Sequence, residues 1–106
     1  MVKVVMTPSA RNDAESVFRY IDGFSRRAAQ AFKKEVVAAA RRLKQMPMMG
    51  SKEPLLRRYH KNYRYVLVQS RYKLIYLYEN DTCSILMVWD CRQNPKQLKN
   101  SERFES

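Results

Sequence analysis

Residues 63–90 read YRYVLVQSRYKLIYLYENDTCSILMVWD. Three runs of β-branched, aromatic and aliphatic residues, at 63–68, 72–78 and 82–90, are separated by polar turns at 69–71 and at Asn80–Asp81. Such side chains suit a pleated, half-buried surface, and runs of this length between turn residues predict an antiparallel three-strand meander. Asn-Asp between two such runs is a two-residue hairpin turn. Alternation along a strand then sorts the side chains by face. Tyr72, Leu74 and Tyr76 oppose Lys73, Ile75 and Leu77, and Ile85, Met87 and Trp89 oppose Ser84, Leu86 and Val88. Both faces are largely apolar. Helices covering one of them would leave a mixed surface with exposed tyrosines on the other.

Upstream, Val4, Val5 and Met6 make a short strand, and Thr7-Pro8 starts a helix. Thr is a good N-cap, and Pro fits the first helical position because its missing N–H would be unpaired there anyway. Ala10, Ala14, Val17, Phe18 and Ile21 recur on one helical face, and Asp22-Gly23 ends it, with Gly23 suited to a left-handed C′ position. Asp13 and Glu15 fall early enough for the helix dipole to favour them. Ser25 caps a second, longer helix whose stripe is Ala28, Phe32, Val36, Ala39, Leu43 and Met46, stopped by Pro47. The short link between them predicts an antiparallel helical hairpin. Gly50 is the turn residue of the connector 48–54. After Asp90, Pro95 breaks the last strand, and 96–106 is a short polar tail, frayed or forming one last helical turn.

The 106 residues suit one domain with one core, placed at 1–95 ahead of that tail. At 45% hydrophobic and 29% charged the composition is that of a globule rather than a disordered chain. No apolar run approaches the roughly 18 residues of a membrane span, and the N-terminus lacks the apolar core of a secretion signal. The expectation is a cytoplasmic protein without a membrane partner. Cys83 and Cys91 form no CxxC, so neither a metal ribbon nor a redox dithiol is signalled, and no cofactor is expected. Cys83 reads as a small buried hydrophobe.

Charge is the informative number. The net charge of +11 is carried by one contiguous stretch: residues 25–75 hold 14 basic and 2 acidic groups, a net of +12. That argues for an anionic partner, either a nucleic acid or an acidic protein segment.

The order strand, helix, helix, three strands carries TPSARND at the start, RRLKQMP at the second helix end, RYHKNYRYVLVQSRYKLIY across a hairpin and WDCRQNP at the close. Over about residues 2–95 the chain resembles the RelE/ParE superfamily of toxins from type II toxin–antitoxin, or plasmid stabilisation, modules. The resemblance implies an α+β fold, β-α-α-β-β-β, with the helical hairpin packed on one face of a mainly antiparallel, twisted four-stranded sheet. The first strand would join the meander in parallel through the helical crossover. It also implies a cognate antitoxin, encoded beside the gene, whose C-terminal segment wraps the toxin with a helix near the hairpin and a strand at the sheet edge.

Two activities share that fold. RelE-like members cut mRNA in the ribosomal A site, and ParE-like members poison DNA gyrase without cutting nucleic acid themselves. Cleavage of RNA requires activation of a 2′-OH, stabilisation of phosphate charge and protonation of the leaving oxygen. By the resemblance, Arg64 stands at a functional sheet lysine, Lys73 at a phosphate-binding arginine, and Arg92, or else Gln93, near an arginine after the last strand. A second sheet lysine is Val66 here, and no Tyr or His follows Pro95. His60, the one histidine, lies among Arg57, Arg58 and Lys61, and is a candidate general base. Tyr63 and Tyr65 interleave with these cations, as in sites that stack bases while gripping phosphates, and Arg71 extends the set. The sequence leaves three readings open: a ribosome-dependent endoribonuclease with a basic sheet face, a gyrase inhibitor, or an inactive relative that only binds its antitoxin.

Overall fold

The computed structural model describes residues 2–104. Its elements run β1 (Lys3–Met6), α1 (Pro8–Asp22), α2 (Arg26–Gln45), β2 (Ser51–Lys52), a 3-10 helix (Pro54–Tyr59), β3 (Tyr63–Val68), β4 (Tyr72–Glu79), β5 (Thr82–Asp90) and α3 (Pro95–Lys99). The α+β class with a helical hairpin on a mainly antiparallel sheet is as expected. The sheet has five strands rather than four, in the order β1-β5-β4-β3-β2. The extra strand is the two-residue β2, antiparallel to β3, with Ser51 opposite Tyr65 and Lys52 opposite Arg64. Two residues are too few to leave an alternation pattern in the sequence. β1 pairs in parallel with β5, because the helical crossover returns the chain in the same direction.

Local chemistry sets the helix ends. The Thr7 hydroxyl accepts the Ala10 N–H at 3.2 Å, and the Ser25 hydroxyl accepts the Ala28 N–H at 3.0 Å. Gly23 is not left-handed: its φ of −62° is right-handed, so the chain turns directly from one helix into the next. The left-handed positions among the described residues are His60, which ends the 3-10 helix, and four residues of the hairpin turns. Asn80 and Asp81 have φ of 53° and 56°, and Gln69 and Ser70 both have 54°. Positive φ at both central residues is the mark of the turn whose twist matches a hairpin.

Tyr72, Leu74, Tyr76, Val66 and Val68 face the hairpin and pack with Phe32, Ala39 and Leu43 of α2 and with Ala10 and Ile21 of α1. Met46 ends the predicted stripe but is 60% exposed, because α2 has already stopped at Gln45. The third strand departs from simple alternation. Tyr76 pairs with Ile85 while Ile75 pairs with Met87, so Leu86 is an extra residue on β5. One extra residue flips the side chains beyond it to the other face. Ile85 therefore joins Cys83 and Val88 in the hairpin-side core, whereas Met87 and Trp89 join Ile75 on the far side.

That far face is not an exposed tyrosine surface. Leu56 of the 3-10 helix, Leu98 of α3 and Phe104 close over Tyr63, Ile75, Met87 and Trp89, and Leu56 and Leu98 are 1% and 0% exposed. Residues 95–104 therefore include the helical turn and are packed down rather than frayed. Asp13 holds it. Its carboxylate receives the Arg103 guanidinium, with Nη2 at 3.0 Å from Oδ1, and accepts the Val88 N–H at 3.0 Å. β1 pairs with β5 only as far as Ile85, so Asp13 and Arg103 cover the strand edge that β1 leaves bare. Replacing Asp13 with Ala should cost about 1–3 kcal/mol, the penalty for an orphaned N–H and an unpaired guanidinium. A lower urea midpoint at constant m-value is the expected signature, and an unchanged midpoint would show that the carboxylate caps nothing.

Candidate functional site

Arg64, Lys73 and Arg92 do not converge. Val68 pairs with Tyr72, which puts Arg64 opposite Tyr76 and Lys73 opposite Leu67 and Trp89. Arg64 thus takes the hairpin side of the sheet and Lys73 the far side. Each is committed where it stands. Arg64 donates to the Gly50 carbonyl at 2.6 Å, the Met48 carbonyl at 3.3 Å and Asn62 Oδ1 at 2.9 Å, tying the α2–β2 connector to β3. Lys73 Nζ lies 2.7 Å from Glu53 Oε1 and 4.4 Å from the centroid of the Tyr65 ring. Arg92 forks onto Asp90, with Nη2 2.7 Å from Oδ2 and Nε 3.1 Å from Oδ1. It sits at the Tyr72 end of the strands, four residues of β4 from the level of Arg64, or about 13 Å along the strand.

The single basic sheet face expected from the sequence is therefore not formed by these three residues. Their alternation was legible strand by strand, but their relative facing depends on the hairpin register.

The tyrosines are also structural. Tyr63 is 3% exposed and packs edge-on against Tyr59 and Phe104, and Tyr65 carries the Lys73 ammonium. Arg58 donates at 2.7 Å to both the Tyr59 hydroxyl and the Lys99 carbonyl, pinning the 3-10 helix to α3. Arg71 lies beside the Tyr72 ring, and its Nε is buried without a hydrogen-bond partner.

What does come together is a cleft of about 600 Å3 lined by Lys52, Glu53, Leu56, Arg57, His60, Lys61, Asn62 and Tyr63. Arg57, His60 and Lys61 were sequence candidates. Lys52 was missed, since only the β2–β3 pairing brings it beside them. His60 caps the 3-10 helix with φ 54°, and this left-handed residue turns Lys61 back alongside Arg57. No general base–acid arrangement accompanies it. Glu53, the one carboxylate on the wall, is held by Lys73 and by the Leu55 N–H.

A second depression lies on the helical hairpin. Ala14, Phe18, Phe32, Val36 and Val37 form an apolar floor, with Arg11, Arg19, Lys33 and one carboxylate, Glu15, at the rim, and the groove measures about 370 Å3. Sequence periodicity assigned Phe18 and Val36 to the core. They are only partly buried there, so that face of the hairpin remains open to a partner.

Among the described residues no helix is long and apolar enough to cross a membrane. Cys83 and Cys91 are free thiols, the first buried and the second exposed, and burial pushes the Cys83 thiol above its ordinary range.

A family model described as the ParE toxin of the type II toxin–antitoxin system parDE matches residues 4–95. No curated protein matches the chain. Among solved structures, a chain of the chromosomal ParDE TA system from P. aeruginosa superposes with a TM-score of 0.64 at 14% identity, covering 85% of this chain and 96% of that one. At that identity the likeness speaks to the fold.

Proposed function

Because the chain belongs to the ParE toxin family of type II toxin–antitoxin systems, we propose that it is a protein-binding toxin directed at DNA gyrase rather than a ribosome-dependent endoribonuclease. The observation that carries this reading is the opposed facing of Arg64 and Lys73. Cleavage of a phosphodiester needs its cations preorganised around one phosphate, within hydrogen-bond reach of one another's substrate atoms. Here the candidates occupy two faces of a sheet, and each is satisfied by a carboxylate or carbonyl of the protein itself. Val66, at the position where the resemblance puts a second sheet lysine, points the same way.

Inhibition by protein contact needs only a shaped surface. The module's other half supports this picture. A ParE-family chain has an antitoxin partner, and the groove between α1 and α2 suits one amphipathic acidic helix: apolar side chains on Phe18, Phe32 and Val36, carboxylates on Arg11, Arg19 and Lys33.

Two assays on the purified protein separate the activities. Gyrase supercoiling should be inhibited, with accumulation of cleaved DNA, while ribosome-bound mRNA stays intact. Cuts in A-site codons would overturn the proposal. In cells the matching result is growth arrest with an SOS response. No arrest at all would favour the relative that only binds its antitoxin.

A further inference from the structure

The cleft beside the 3-10 helix gathers unpaired positive charge from three successive segments of the chain. Lys52 enters it from β2, Arg57 from the 3-10 helix, and His60 and Lys61 from the turn that follows. None of these four side chains is hydrogen-bonded or ion-paired to a described residue. Other cations of the structure are neutralised in place. Lys73, Arg92, Arg103 and Arg26 have carboxylate partners, whereas the cations of this cleft and those along α2, such as Lys33, Lys34 and Arg41, have none among the described residues. Three permanent cations left together around one concavity, with the local carboxylate turned to Lys73, make a site of positive potential that an anion would relieve.

We propose that this cleft binds the phosphate backbone of duplex DNA. It deepens the gyrase reading and rests on it for its setting, since a toxin seated on a DNA-bound enzyme lies beside a duplex. The chemistry selects the ligand in two steps. An acidic peptide would need apolar anchors to bind well, and the cleft offers none, because its apolar residues Leu56 and Tyr63 are 1% and 3% exposed. The antitoxin-type ligand belongs in the hairpin groove, where the apolar floor is. A single strand would need open aromatic faces on which to stack unpaired bases. Tyr63 is buried, and Tyr59 is held by Arg58 and packed against Tyr63. A cationic cleft without a stacking platform contacts phosphates and leaves bases alone. Arg57 supplies a planar fork, and Lys52 and Lys61 supply point charges on either side of it.

The test is anisotropy of a labelled short duplex titrated with the full chain at several salt concentrations. The Lys52→Glu, Arg57→Glu, Lys61→Glu triple variant should weaken binding more than about tenfold and shrink the slope of log K against log salt by about 2–3. A control triple of equal charge change on exposed α2 positions, Lys34→Glu, Arg41→Glu and Lys44→Glu, should weaken it less than about threefold. Equal losses in the two triples would mean bulk charge and would overturn the site. So would no duplex binding by the parent chain at low salt, or tighter binding of single-stranded RNA or of an acidic peptide. Should the cleft triple fail to fold, by circular dichroism, the single Arg57→Glu variant carries the same comparison with Arg41→Glu. Gyrase inhibition measured in parallel keeps the two readings apart: duplex binding that depends on the cleft, with no effect on gyrase, faults the target and not the cleft.

Discussion

Lys73→Met is expected to lower the unfolding free energy by about 3–5 kcal/mol, more than any surface substitution in this chain. The reason lies with Glu53. Its side chain is 0% exposed, and it is the only buried charged residue among those described. One carboxylate oxygen accepts the Leu55 N–H at 3.0 Å and caps the 3-10 helix, and the other meets Lys73 Nζ at 2.7 Å. Removing the ammonium leaves a buried carboxylate without its counter-charge, which costs far more than the pair contributes net of desolvation.

The converse change is milder. Glu53→Gln keeps an acceptor for the Leu55 N–H and leaves a Lys73 that is 19% exposed and able to reach water. Adding Glu53→Gln to Lys73→Met should therefore recover most of the loss, because the buried charge goes with its partner. Urea unfolding of the two singles and the double reads this directly as a coupling energy. A Lys73→Met protein within about 1 kcal/mol of the parent would mean that the ammonium is not what satisfies Glu53. The same measurement bears on function. A lysine retained to grip substrate would leave stability unchanged when replaced, whereas a lysine that balances a buried carboxylate would not.

Gly50→Ala is expected to cost about 3 kcal/mol or more, by overpacking together with broken hydrogen bonds. Here the requirement is space and not backbone freedom. A Cβ on Gly50 would stand 2.6 Å from the Tyr65 carbonyl oxygen and 2.7 Å from the Tyr76 hydroxyl. The first is backbone in the β3 ladder and cannot swing away. The second belongs to a ring that is 0% exposed, with nowhere to go. That hydroxyl accepts the Gly50 N–H at 3.1 Å and donates to the Pro47 carbonyl at 2.7 Å, while Arg64 holds the Gly50 carbonyl. The connector from α2 to the sheet is thus fastened at one point by a tyrosine from β4 and an arginine from β3.

Tyr76→Phe isolates the hydroxyl: it keeps the ring, orphans the Gly50 N–H and should cost about 1–3 kcal/mol. The hydroxyl also sets a limit at high pH. Burial raises the Tyr76 phenol above its ordinary value of 10.0, although the Gly50 N–H partly offsets this. The folded state therefore holds the proton more tightly than the unfolded chain does. Stability from this group is complete below pH 10.0 and is lost as pH climbs from there through the folded-state value. Thermal midpoints of the parent should fall faster than those of Tyr76→Phe above that pH. A parallel fall in both would remove Tyr76 as the cause.

Much of this was open to reading before any coordinates. Thr7-Pro8 and Ser25 marked the helix starts, the three apolar runs marked the meander, and Asn80–Asp81 marked its second turn, because each is a local preference written in adjacent residues. The functional set was less open. Arg64 and Lys73 were matched strand by strand, and the match left out the register of the hairpin between them. Had the loop held two residues, with Val68 facing Arg71, Arg64 and Lys73 would have shared one face. The pairing of Val68 with Tyr72 adds one residue and puts them on opposite faces. The bulge at Leu86 does the same to Ile85 and Met87. The fate of the tail was hidden for another reason: Leu98 and Phe104 are lone apolar residues in polar surroundings, with no periodicity to announce that they bury.

The amino-acid sequence by itself determined the helical hairpin, the meander and the concentration of positive charge in residues 25–75. Those follow from side-chain period, capping groups and composition, which act over a few residues and need no partner to be known. Only the tertiary structure decided which cations were free to act. Arg64 and Lys73 met carbonyls and a carboxylate brought from elsewhere in the chain, Arg92 met Asp90 two residues before it, and Lys52, Arg57 and Lys61 met none. A charge is available to a ligand only when no nearer group of opposite sign has claimed it, and nearness is a property of the folded chain.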